Sequence, residues 1–99
     1  MHPFFNNAEL IIEWRIHALQ QISIRNISRS DILKNVSSGE IIESYPDDLP
    51  YPSYLFMGYV QGRPLHVVIA HEKMPERIYI VTAYEPDNEK WDENFRRRE

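Results

Sequence analysis

Residues 62–70 read Gly-Arg-Pro-Leu-His-Val-Val-Ile-Ala (GRPLHVVIA). A turn leads into strand-forming residues that are apolar at both parities: Leu65, Val67 and Ile69 on one side, Val68 and Ala70 on the other. A strand apolar on both faces belongs in the interior of a sheet. One imidazole, His66, interrupts it. Whether His66 is a satisfied core residue or faces a substrate decides if the sheet is only a scaffold.

Working outward, the period of two persists. EIIESY (40–45), YLFMGYV (54–60), PLHVVIAHE (64–72) and IYIVTAYE (78–85) are rich in aromatic and β-branched residues, as strands are. Connections this short predict consecutive antiparallel neighbours in a meander. Taking Gln61-Gly62 as a two-residue hairpin turn puts Met57 opposite His66. The longer loop around Met74 and Pro75 leaves the next register open. A suitable one brings His66 onto the face that Thr82 and Tyr84 share by strand parity, while His71, an odd step away, points to the opposite face.

Towards the N-terminus, Leu10, Ile11, Trp14, Ala18 and Ile22 recur at helical spacing. That spacing predicts a helix from about Asn7 to Ile22, capped by Asn6 or Asn7, with Glu9 near its positive end. Ser28 or Ser30 caps a second helix with Ile32, Leu33 and Val36 as its inner face and Gly39 closing it. At the other end Asp87 is placed to cap a short helix carrying Trp91 and Phe95 at i, i+4. The expected fold is a single α+β domain over residues 1–99. Two N-terminal helices pack on a four-stranded antiparallel meander, and a short C-terminal helix completes it.

Bulk properties narrow the function. Ninety-nine residues suit one domain. The absence of cysteine excludes thiolate metal sites and cysteine nucleophiles. No apolar run approaches the roughly 20 residues that cross a bilayer, and the N-terminus lacks a signal-peptide layout, so no membrane role and a cytoplasmic location are expected. A net charge of −4 and a pI of about 5.5 put any nucleic-acid contact on a local patch. The run Arg96, Arg97, Arg98 is one candidate; a solvated chain end is its plainer reading.

Neither an HExxH pattern nor a Gly-rich phosphate loop is present, so no metal and no cofactor are expected. Acid–base chemistry by imidazole is easier to support, with His17 from the first helix and His66 from the sheet. Each candidate has a bland counterpart. A lone strand histidine is more often structural, Tyr84 can bury its ring with the hydroxyl at the rim, and Arg25 can bind the first helix's carbonyl end.

Taken together, HALQQISIRNIS (17–28), SGEIIESYPDDLPYPSYLFMG (38–58), GRPLHVVIA (62–70) and IYIVTAYEPDNEKW (78–91) resemble the DUF4258 family. The likeness runs roughly from Trp14 to Phe95. Members of that family resemble RelE/ParE-like toxins and toxin-tip nucleases, some of which cut RNA without metal, and some look like partners of zinc-ribbon antitoxins.

The resemblance implies a RelE/barnase-like toxin fold and a metal-independent ribonuclease of a toxin–antitoxin type system. Its partners would be RNA and an antitoxin protein. Carried onto this chain, it marks His17, Arg25, His66, Thr82 and Tyr84 as the site, with base and acid duty shared by His66 and His17 in either order. Arg25 would hold phosphate, Thr82 and Tyr84 would position it, and Arg63, Arg96, Arg97 and Arg98 would add substrate contacts. Where the family commonly has an arginine, this chain has Gln21.

The competing expectation is a non-catalytic binding module that engages a protein partner or a second copy through a strand edge. In it, His17 and His66 hydrogen-bond to each other and tie the first helix to the sheet. Both imidazoles lining an open cleft beside Arg25 would favour catalysis; burial and mutual satisfaction would favour scaffolding.

Overall fold

The computed structural model describes residues 2–5 and 10–98. Its elements are β1 (Ile11–Trp14), α1 (Ile16–Ile24), α2 (Arg29–Ser38), β2 (Glu40–Tyr45), β3 (Ser53–Val60), β4 (Arg63–Lys73) and β5 (Glu76–Tyr84). The strands form one sheet in the order β1-β5-β4-β3-β2. From β2 to β5 it is an antiparallel meander, and β1 adds to it in parallel beside β5. The expected four-stranded antiparallel sheet is therefore corrected to a five-stranded mixed one.

The difference arises at residues 11–14. Ile11 and Trp14 fit helical spacing, but β-branched and aromatic side chains, Ile12 included, also suit a pleated surface. Without them β5 would be a sheet edge with unpaired backbone groups. Pairing from Ile11↔Arg77 to Trp14↔Ile80 covers that edge. Arg15 stays extended and caps α1 without a side-chain hydrogen bond, so the helix begins only at Ile16. The expected caps Asn6 and Asn7, and Glu9 at the expected positive end, lie outside the described residues.

Ser28 begins α2 with a reciprocal capping box to Asp31, and Gly39 ends it. A Cβ on Gly39 would sit 2.5 Å from the Asn35 carbonyl oxygen and 2.9 Å from that of Met57, so the close turn into β2 needs glycine.

Both helices cover one face of the sheet. Ala18, Ile22, Ile32 and Val36 bury there against Phe56, Val67, Ile69, Ile78 and Ile80 in a continuous apolar core. β4 is the central strand, and Gln61 and Gly62 turn into it with φ of 54° and 80°. Those values suit the tight hairpin that sets Met57 against His66.

A bulge in β5 decides which face its last residues take. Val68 pairs with Thr82 but Ile69 with Ile80, leaving Val81 as the extra residue. Ile78 and Ile80 face the helices, and after the bulge Ala83 does. Parity has shifted by one, so Tyr84 leaves the helix side and pairs with His66 on the opposite face.

The expected C-terminal helix is also corrected. Asp87 accepts the backbone N–H groups of Lys90 and Trp91 in a single turn, and the chain then reverses so that Trp91 bridges Arg98. Phe95 has φ 58°, which ends any helical continuation. Residues 86–98 run from β5 across β4 and β3 to β2, over the face that the helices leave uncovered.

Candidate functional site

β1 stops opposite Ile80, so beyond that point β5 has β4 on one side and no strand on the other. α1 lies along this gap. Arg25, at its C-cap, donates from Nη1 to the Ala83 carbonyl at 2.8 Å and to Thr82 Oγ1 at 3.3 Å. Its side chain thus supplies the donor that a neighbouring strand would have given, while its backbone N–H closes α1 on the Gln21 carbonyl.

Thr82 in turn donates to Gln21 Oε1 at 2.5 Å, and the Gln21 amide lies 2.9 Å from His17 Nε2. His17, Gln21 and Arg25 recur at i, i+4, i+8 on one stripe of α1 and line up along the end of β5. His17 and Arg25 are exposed.

His66 is in a different setting. It is fully buried, on the sheet face away from the helices. Nε2 lies 2.7 Å from the Phe95 carbonyl oxygen and Nδ1 lies 3.3 Å from the Tyr84 hydroxyl. A carbonyl can only accept, so the proton sits on Nε2, and the Nδ1 lone pair receives the Tyr84 O–H. Trp91 stands edge-on to the ring, with centroids 4.5 Å apart.

Burial pushes the His66 pKa below its ordinary value, against the upward pull of the Phe95 carbonyl and Glu43. The ring is neutral at pH 7. Burial likewise raises the Tyr84 pKa, although the nearby charges of Arg98 and Arg25 pull it down. Tyr84 is half-buried and so joins the covered imidazole to solvent.

The expected direct meeting of His17 and His66 does not occur, as catalytic pair or as structural bond. His17 bonds Gln21, and both nitrogens of His66 are taken by Phe95 and Tyr84. The structure instead gathers the marked residues in two adjoining groups. His17, Arg25 and Thr82 are joined through Gln21; His66 and Tyr84 form a pair two residues further along β5.

Arg63 approaches the same strand end, bonding Glu85 at 3.0 Å and the Asn26 carbonyl at 3.3 Å. In the C-terminal run, Arg96 pairs with Glu40 and Arg98 with Glu43, each at 3.0 Å, while the Arg97 backbone N–H bonds Asp92. Glu43 also accepts the Tyr45 hydroxyl. Burial alone would raise the Glu43 pKa, but the bonds from Tyr45 and Arg98 bring it below the usual range.

Among the described residues no three His, Cys, Asp or Glu side chains converge in a metal-holding group. No described helix is long and apolar enough to cross a membrane.

A family model described as a domain of unknown function, DUF4258, matches residues 14–85. The chain belongs to the DUF4258 family. No curated protein and no solved structure matches it, so the RelE/barnase-like fold expected from resemblance is not retained. The DUF4258 match includes both groups of site residues, whereas Trp91 and Phe95, which complete the surroundings of His66, lie beyond it.

Three participants were not legible as such. The Phe95 contribution is a backbone carbonyl, which leaves no mark on residue type. Gln21 looked like the loss of a cation, yet it bridges His17 to Thr82. Glu43 reads as an ordinary polar position in a half-buried strand.

Proposed function

We propose that this DUF4258 chain is a metal-independent ribonuclease of the toxin type, working at the uncovered end of β5. One observation carries the reading. Arg25 is fixed on Ala83 and Thr82 between an exposed imidazole, His17, and a hydroxyl, Tyr84, whose proton points at a neutral buried imidazole.

RNA cleavage without metal needs a base for the 2′-hydroxyl, an acid for the departing 5′-oxygen and donors for the charge growing on phosphorus. Arg25 supplies paired N–H donors to the phosphate. The 2′-hydroxyl passes its proton to the Tyr84 oxygen as Tyr84 passes its own to His66 Nδ1. The 2′-oxygen forms its bond to phosphorus, the bond from phosphorus to the 5′-oxygen breaks, and His17, carrying a proton taken from solvent with its Nε2 released from the Gln21 amide, protonates that oxygen. The product is a 2′,3′-cyclic phosphate. The imidazolium formed at His66 keeps its Nε2–H on the Phe95 carbonyl.

The test is cleavage of single-stranded RNA by the purified chain in excess chelator. The expected result is cyclic-phosphate ends, and a loss of about 10²-fold or more in Arg25→Ala, as for removal of one charge-stabilising donor. Absence of cleavage, dependence on a divalent ion, or an Arg25→Ala variant as active as the parent would overturn the reading.

A second reading has its own observation. Ile16 and Ile24 on α1 are 74% and 85% exposed and flank a shallow apolar groove with Leu19. A strip of this kind suits a protein partner better than RNA; a chain that binds protein and cleaves nothing would be the outcome favouring it.

A further inference from the structure

Residues 86–98 do more than cover the sheet. We infer that this segment is a positioning element for the His66–Tyr84 pair: the Phe95 carbonyl holds the imidazole proton on Nε2, which leaves Nδ1 facing the Tyr84 hydroxyl. Its bearing on catalysis rests on the ribonuclease reading; its effect on the imidazole does not.

The segment is built to place one carbonyl. Asp92 Oδ1 accepts the backbone N–H groups of Asn94 at 3.2 Å, Arg96 at 3.0 Å and Arg97 at 3.5 Å, which wraps the chain into a tight turn. Within that turn Phe95 takes φ 58°, a conformation disfavoured for any residue with a Cβ. A disfavoured backbone persists only where its surroundings over-determine it. Here they do so on both sides. Trp91 is buried against the His66 ring, and the Arg98 guanidinium lies 4.6 Å from the Trp91 centroid.

Two ion pairs then fix the segment across the sheet, Arg96 to Glu40 and Arg98 to Glu43. Each is at least partly open to solvent and individually weak, but together they set where Phe95 comes to rest. This accounts for two of the three terminal arginines without any polyanion.

A simple lid would have covered the reactive hydroxyl. This segment instead seals His66 completely while Tyr84 stays half-buried. The proton route from solvent to Nδ1 runs through Tyr84 and does not require the segment to lift. The carbonyl plays the part that an orienting carboxylate plays behind a catalytic imidazole: it fixes the tautomer and favours the protonated ring.

The experiment uses the full chain labelled with ¹⁵N. A ring N–H held on a buried carbonyl exchanges slowly enough to be observed directly, whereas an open imidazole N–H does not. Besides the His71 Nε2–H held on the buried Glu76 carboxylate, the expected spectrum has a signal from His66 Nε2–H, identified by its absence in His66→Gln. Arg98→Glu, a change at an exposed position, should abolish the signal and lower RNA cleavage by roughly 10-fold or more. Glu43→Arg combined with Arg98→Glu should restore both.

No protected His66 N–H in the parent, or an unchanged one in Arg98→Glu, would overturn the inference. So would faster cleavage on loosening the segment, which is the behaviour of an occluding lid. If the parent cleaves no RNA, the ribonuclease reading fails alone, and the N–H signal still decides the role of residues 86–98.

Discussion

β4 carries two buried histidines five residues apart, His66 and His71, and the regions around them differ in a way that burial alone does not show. His71 faces the helix side. It is ringed by Phe4, Phe5 and Tyr54 and lies 2.9 Å from the buried carboxylate of Glu76. That pair is closed off on every described side. His66 faces the other way, under a thin cover of Trp91 and Phe95, and one of its partners, Tyr84, reaches the surface. An imidazole that ends in a sealed pair is scaffolding; one whose hydrogen bond leads to solvent can exchange a proton with a ligand.

The largest effect expected from breaking this contrast is on the helix side. Phe56→Ala removes a fully buried ring from the main core and should lower the free energy of unfolding by about 3–5 kcal/mol in urea titrations. His71→Ala leaves the Glu76 carboxyl buried without its imidazole. A loss of about 3–5 kcal/mol is expected, with cleavage per folded molecule unchanged. A large drop in activity at constant folded fraction would instead give His71 a share in the site.

Smaller, and confined to the other region, is the pH response of His66. Burial depresses its folded-state pKa below the ordinary 6.5, so the unfolded chain binds the proton more readily. The stability this group contributes is complete above about pH 6.5 and is lost as pH falls towards the folded-state value. The His66 resonances should titrate with a midpoint under 6.5 in the parent, and His66→Gln should flatten the stability profile in that window. A midpoint at or above 6.5 would contradict the assignment of a neutral, covered ring. Smallest of all, Glu40→Gln loosens a single exposed pair and should cost only about 0.2–1 kcal/mol, weakening further with salt.

These contrasts also mark what could be read from residue types. The alternation in 40–85 and the Gln61-Gly62 turn carry the meander, the central place of β4 and the Met57↔His66 pairing, because period-two patterning and hairpin chemistry are local. The strand at Ile11–Trp14 is not local. Its apolar residues satisfy both periodicities, and the tie is broken by an edge more than sixty residues away in sequence. The bulge at Val81 is similarly silent, since Val81 is itself a good strand residue, yet it turns Tyr84 towards His66. Five residues marked the site, but their division into an exposed chain and a covered pair follows from that bulge and from the path of residues 86–98.

The central claim is that the proton path through Tyr84 into His66 serves RNA cleavage. Its most direct measurement is the single-turnover cleavage rate of a short single-stranded RNA in chelator by the parent and by Tyr84→Phe, each checked for an unchanged melting temperature. The expected result is a loss of about 10²-fold from removing one oxygen. Equal rates in the two proteins would contradict it.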